Sequence, residues 1–317
     1  MYYPLLRAKQ NELLALRETI GKTVSVNNIL PILEPVNQTT RDIQRCSSEL
    51  TEANSGYILI VNPQVGYFSS NQRRLDELIY SLIQESSNIE FAYRINEGTT
   101  IEQIQLFFTK YSEYPNSLIH TSSTKDSTKL VELIKKNSSF NKNFFIKNKV
   151  GRKYERSFSE FNNVVIEDNF KKLDRNADYD DEDFFSDSVF NYEEDGYVGF
   201  GDYSIVGDSF SKSGGPPITA ALHLTYEETN EQEIWIKHFL SEPRSRVEED
   251  GPTLVSEALP KLVDYIQENE ELFAFSNTCK ELISLHESGE RTSLGKMKRL
   301  SMKHHFELMN HILNRNI

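Results

Sequence analysis

A short apolar run, a polar turn and an amphipathic stretch recur in that order along the first two-thirds of the chain, and few folds accept such a rhythm. "NILPILEPV" (28–36) precedes "TTRDIQRCSSELTEAN", where Thr39 or Thr40 is placed to cap a helix. "YILIVNP" (57–63) precedes a stretch whose Leu75, Leu78, Ile79, Leu82 and Ile83 share one helical face. "EFAYRIN", "SLIHTSS", "FFIKN" and "NVVIED" continue the series. Strands separated by helices pair in parallel through right-handed crossovers. These runs are apolar on both faces, as a parallel sheet covered by helices requires. "GFGDYSIVG" (199–207) reads as strand seven and "ITAALHLTY" (218–226) as strand eight, with "EIWIKHFLS" (233–241) paired to it through "EETNEQ". The order predicts an α/β fold: a TIM-like (β/α)8 barrel, irregular in its second half, with a C-terminal helical extension. An open doubly wound sheet is the rival.

This reading places a barrel-like domain over 1–250, with an acidic insertion at about 174–197, and a helical cap or subdomain over 251–317. The insertion carries Phe184, Phe185, Phe190 and Tyr192 among its carboxylates, which predicts an ordered or partly ordered segment. "YYPLL" at the start is a second candidate for the first strand, shifting the count by one. Arg7, Lys9 and Gln10 then lie near a sheet end, available to an anionic ligand, or are ordinary helix-entry residues.

A formal net charge of −13 argues against a chain whose main task is to coat nucleic acid. Two distant cysteines, Cys46 and Cys279, supply neither a disulfide framework nor a cysteine-based zinc site. "MYYPLLRAKQ" has no apolar h-region, and no run is long enough to span a bilayer. The expectation is a soluble, cytoplasmic protein.

Parallel strands share one face at their C-terminal ends, where barrel sites are built. The polar residues near those ends are Glu34, Asn62, Arg94, His120, Lys147, Glu167 and Asp168, with Asp202, His223 and, less centrally, His238 from the later strands. Ionisable groups inside apolar strands need partners, so this ring reads either as a pocket or as a structural ion network. As catalytic candidates the reading takes Asp202, Glu167, Asp168, His223 and His120; as ligand-binding candidates Arg94, Lys147, Glu34 and Asn62. Carboxylates suit magnesium, calcium or manganese, and a histidine among them suits manganese, iron or zinc, so a divalent cation is an open option. Such a cation would activate water against a phosphoester while Arg94 and Lys147 stabilise the phosphoryl oxygens. No HExxH, P-loop or GxSxG motif is present. Gly199 and Gly201, before Asp202, predict a kink where a helix or ligand approaches, and "SGGPP" (213–217) predicts a rigid loop near the mouth.

"MYYPLLRAKQNELLALRE" and "ILPILEPV", with the later "GFGDYSIVGD", "ALHLTY" and "IWIKHF", resemble the beta protein family of bacterial and phage proteins over roughly residues 1 to 240. The resemblance implies a compact, barrel-like α/β fold, often encoded in mobile or genomic-island neighbourhoods. It supplies no catalytic residues.

Two functions follow. One is a polar pocket at the strand ends that binds or hydrolyses a phosphate-bearing small molecule. The other is a non-catalytic interaction component of an anti-phage or mobile-element system, whose acidic segment docks a basic protein partner. Direct nucleic-acid binding is disfavoured by the acidic balance.

Overall fold

Eight parallel strands form one sheet in chain order in the computed structural model, which describes residues 1–86, 88–211 and 218–315. They are β1 (Leu5–Leu6), β2 (Ile32–Leu33), β3 (Tyr57–Ile60), β4 (Ile89–Ile95), β5 (Asn116–His120), β6 (Phe140–Ile146), β7 (Asn163–Glu167) and β9 (Gly199–Asp202). Tyr2 bridges in parallel to both Ile29 and Phe200, Tyr3 N donates to Phe200 O at 2.8 Å, and Phe200 N donates to Met1 O at 3.2 Å. The first strand therefore meets the last and the sheet closes. This is the TIM-like α/β barrel that the rhythm predicts, with "YYPLL" as its first strand.

Two compact units divide the chain. The first, residues 1–9, 29–168 and 191–203, holds the barrel. Its helices are α2 (Arg41–Glu52), α3 (Gln72–Glu85), α4 (Ile101–Lys110), α5 (Ser127–Lys135) and the five-residue α6 (Arg152–Arg156). Thr100 starts α4 with a capping box, accepting from Gln103 N at 3.3 Å while Gln103 Oε1 accepts from Thr100 N at 2.9 Å. Thr40 does stand at the N-cap of α2, but its hydroxyl bonds Gln44 Oε1 and leaves the helix amides uncapped.

The lumen is filled by alternate residues of every strand. Leu5, Ile32, Ile58, Ile60, Ala92, Ile119, Phe144, Ile146, Val164 and Ile166 form one buried cluster with Tyr3 and Tyr203. Gly199 and Gly201 complete it. A Cβ on Gly201 would stand 2.1 Å from Tyr3 O and 2.5 Å from Ile166 Cδ1, and one on Gly199 would stand 2.6 Å from the Tyr3 ring. The glycines thus let the first strand close against the last. They lie within a regular strand, and the approaching group is the Met1–Tyr3 segment that leads into β1 rather than a ligand or helix.

The second unit, residues 10–28, 169–190 and 204–317, is built on a separate antiparallel sheet. Its strands β10 (Ala221–Glu228) and β11 (Glu233–Leu240) form a hairpin, and β8 (Glu182–Ser186) pairs with β11. "ITAALHLTY" is accordingly no barrel strand; "GFGD" takes the eighth place. The count shifts because β1 is so short that sequence pattern favours the longer hairpin. The helices here are α1 (Gln10–Thr19), α8 (Gly251–Glu268), α9 (Glu270–Phe273), α10 (Asn277–Ser288) and α11 (Leu294–Arg315); the short α7 (Ser188–Asn191) runs across the division. Leu222, Leu224 and Phe239 of the sheet pack with Leu259, Leu262, Leu282 and Leu300 of these helices. Beside that core Ser276 caps α10 and joins Glu307 and His304, whose Nε2 bonds Thr225 O at 2.7 Å. Cys279 is buried at this cap and its thiol is pushed up to about 12 by desolvation, so it packs as a small apolar group. The acidic stretch is ordered: it folds into β8, and its Asp181 and Glu182 pair with Lys237 while Asp183 pairs with Lys171. Residues 213–217 lie outside the described residues. Among the described residues no helix is long and apolar enough to cross a membrane.

Replacing Gly201 by valine drives a branched side chain into Tyr3 O and Ile166. The expected cost is about 3 kcal/mol of stability, read as a lower urea midpoint at unchanged slope, with Gly98→Ala, where the added Cβ would meet nothing closer than 3.9 Å, as control.

Candidate functional site

Side chains alternate across a strand, so the apolar lumen cluster fixes which polar residues face inward. Arg7 follows Leu5 by two, Glu34 follows Ile32, Asn62 follows Ile60, Arg94 follows Ala92 and Asp168 follows Ile166. These five stand on the lumenal side at the C-terminal mouth. His120, Lys147, Glu167 and Asp202 each differ by one residue from a lumenal position and belong to the outer side.

The mouth is organised by Glu34, which is fully buried. Its Oε2 accepts from Arg94 Nη1 at 2.8 Å and also from Arg7 Nη1, while its Oε1 accepts from Gln64 N at 2.7 Å. One carboxylate thereby ties β1, β2, β4 and the loop after β3. Arg7 and Arg94 are each 6 % exposed, so both guanidiniums are held in place rather than sweeping solvent. The Arg7 guanidinium carbon lies 5.9 Å from the Tyr203 ring centre, which brings the segment after β9 to the same cluster. Asn62 replaces a strand residue: its amide donates to Arg94 O at 2.9 Å and accepts from Arg94 N at 2.7 Å. Gln64 then bonds Asn62 O and Asn96, making an amide rim beside Arg94. Asp168 is exposed at the rim.

The outer residues have other tasks. His120 is buried between the strand and α6, with Nδ1 2.9 Å from Tyr154 Oη, Nε2 3.0 Å from Asn143 Oδ1, and its ring stacked on Phe145. Desolvation holds it down to about 4, so it is a neutral core histidine. Glu167 pairs with Lys147 on the neighbouring strand end. Asp202 accepts from Tyr2 Oη at 2.6 Å; burial first, and then Asp202, raises the Tyr2 phenol well above its ordinary value. His223 lies on β10 in the other unit, with Nδ1 2.7 Å from His238 Nδ1, and His238 Nε2 is 3.3 Å from Asp183 Oδ2. Burial first, and then His238, holds His223 down to about 3.

The expected catalytic set of Asp202, Glu167, Asp168, His223 and His120 is therefore not one constellation. Strand alternation separates Asp202, Glu167 and His120 from the mouth, and the antiparallel hairpin removes His223 from the barrel. Among the expected ligand-binding residues, Glu34, Asn62 and Arg94 are brought together and Lys147 is not. Among the described residues, no group of three or more His, Cys, Asp or Glu is placed to hold a metal ion. Arg7, open between two readings in the sequence, is at the centre; Gln64, four residues after Ile60, and Tyr203, two after Gly201, carry no further sequence signal for this cluster.

Comparison with protein-family models, with curated proteins and with solved structures gives no match.

Two outcomes test this geometry. Glu34→Gln leaves two guanidiniums facing each other without the carboxylate, and about 3 kcal/mol of stability should be lost, whereas Lys110→Met, whose partner Asp76 is about as exposed as the lysine itself, should change it by less than about 1 kcal/mol. The second concerns acid. The folded chain keeps His120 neutral down to about 4 against 6.5 when unfolded, so its contribution is complete above pH 6.5 and is lost as pH falls from there toward 4. Urea titrations at successive pH values should show this fall, shallower in His120→Asn.

Proposed function

We propose that the barrel mouth binds a phosphate-bearing small molecule, with Arg7 and Arg94 as the groups that meet its phosphoryl oxygens. The observation that carries this is the convergence of two buried guanidiniums on one buried carboxylate at the end of a parallel barrel. A guanidinium offers its donors as a rigid fork that matches phosphate geometry. Glu34 removes the rotamer freedom that two long side chains otherwise lose on binding, so the cations are preorganised. Asn62 and Gln64 set a neutral amide rim for the remainder of the ligand. Binding is the part of the expectation supported here; the hydrolytic scheme set Glu167, Asp168 and Asp202, with His120 or His223, around one cation, and of these Glu167, Asp202 and His120 lie on the outer side of their strands while His223 lies on β10.

We also infer membership of the beta protein family; two of the stretches that carry the resemblance, "MYYPLLRAKQNELLALRE" and "ILPILEPV", contribute Arg7 and Glu34. The interaction role stands second: the acidic segment is folded into β8, with Asp181, Glu182 and Asp183 engaged by Lys237 and Lys171.

Melting curves with glycerol phosphate and with inorganic phosphate test the reading. A ligand at a hundred times its Kd stabilises by about 2.7 kcal/mol, so a saturable rise in Tm is expected for the native chain. The rise should be abolished in Arg94→Gln, weakened about tenfold in apparent affinity in Arg7→Lys, and kept in Lys147→Met. An equal rise in all four chains, or none in the native one, overturns it.

A further inference from the structure

Charge is spread unevenly over the barrel. Residues 121–156, from the loop after β5 through α6, hold ten Lys and Arg against three Asp and Glu, in a chain whose net charge is −13. Parallel barrel strands deliver the loops that follow them to the C-terminal mouth, so the loops after β5 and β6 stand at the same end as the Glu34 cluster. Lys125 lies on the first loop, Lys149 on the second, and Arg152 and Lys153 follow directly; all four are exposed. The carboxylates beside them are engaged by other groups, Asp126 by Lys129 at 3.2 Å and Glu155 by the Tyr197 hydroxyl, while Lys147 is held by Glu167. Among the described residues, none of the four cations meets a carboxylate.

These loops are nonetheless fixed in place. Lys147 N donates to Ile166 O at 2.8 Å, Lys149 N to Ile146 O at 3.1 Å, and Gly151 N to Ser123 Oγ at 3.2 Å, which ties the second loop to β7 and to the first loop. Like charges held together without counter-charge repel each other, and an anion among them relieves that repulsion. Strand register gives the distance to the buried guanidiniums. Arg94 pairs with Ile119 and Ile119 with Phe144, so the loop after β6 starts at Lys147, two strands across from Arg94 and three residues higher. At about 4.8 Å per strand and about 3.3 Å per residue, the backbones stand roughly 14 Å apart, with long side chains on both sides to shorten the gap. Uncharged polar groups lie on the rim between: the Asn96 amide, bonded to Gln64 at 2.8 Å, and the Thr121 hydroxyl, bonded to Ile95 O at 2.7 Å. Such a gap suits two phosphoryl groups at opposite ends of a hydroxylated carbon chain, and is too wide for the adjacent phosphoryl groups of a pyrophosphate.

We propose that the ligand of the barrel mouth carries a second phosphoryl group, received by Lys149 and Arg152, and that its class is a sugar bisphosphate phosphorylated at both ends. This rests on the phosphate reading of Arg7 and Arg94, which hold the inner phosphoryl group, while the amide rim faces the hydroxyls.

The test is calorimetric titration of the full chain with fructose 1,6-bisphosphate and with fructose 6-phosphate at about 0.15 M salt, where exposed charges more than about 8 Å apart are screened. The bisphosphate should bind at least tenfold more tightly. Lys149→Gln with Arg152→Gln should remove that advantage and leave fructose 6-phosphate binding unchanged. Lys135→Gln with Lys136→Gln, an equal loss of charge from the same segment, should keep it, and Arg94→Gln should abolish binding of both sugars. Equal affinity of the two sugars for the native chain, or an advantage that survives Lys149→Gln with Arg152→Gln, overturns the proposal and leaves the phosphate reading standing. An advantage lost equally with Lys135→Gln and Lys136→Gln also overturns it, since that is general attraction to a basic surface. Binding of neither sugar overturns it as well, and the glycerol phosphate melting curves then show whether the phosphate reading falls with it.

Discussion

The Glu34 carboxylate is the constraint on which the barrel mouth depends. It is fully buried, and its two oxygens take Arg7, Arg94 and the Gln64 amide, joining β1, β2, β4 and the loop after β3. A buried carboxylate is tolerated only when its desolvation is offset by charge and hydrogen bonds of good geometry. The same contacts fix both guanidiniums at the end of the lumen. Stability and the proposed phosphate site therefore draw on one cluster, and the apolar lumen beneath, from Leu5 to Ile166, holds the strands in the register that forms it.

Barrel closure is the second dependence. Arg7 reaches the mouth only because Tyr2 and Tyr3 dock on Phe200, and that docking needs Gly199 and Gly201 to lack side chains. The glycine-rich stretch thus bears on the proposed site at one remove: it admits the segment that leads into β1, and Arg7 follows β1.

The fold class was legible in the chain because period and composition change together at each strand and helix. Which polar residues share a pocket was not. Barrel strands are apolar on both faces, so nothing in "LIHTSS" distinguishes His120, facing α6, from its lumenal neighbour Ile119. Reading the last polar residue of each strand mixes the two sides, which is how Asp202, Glu167 and Lys147 joined Glu34 and Arg94. Counting in twos from a lumenal residue would have separated them, had one been known; Ala92 and the two glycines, small where the lumen is crowded, were the available clue. The hairpin of β10 and β11 misled for another reason. Its strands are longer and more regular than β1, and sequence pattern ranks length above topology, so His223 and its partner His238 were placed on the barrel.

The account turns on whether Glu34 and Arg94 act as one buried unit. A double-mutant cycle with Glu34→Gln, Arg94→Gln and both, read by urea unfolding, measures this directly. The predicted coupling is above about 1.5 kcal/mol, as found for close charge pairs shielded from water. A coupling below about 0.5 kcal/mol, the value of an exposed surface pair, would contradict the buried cluster and the site built on it.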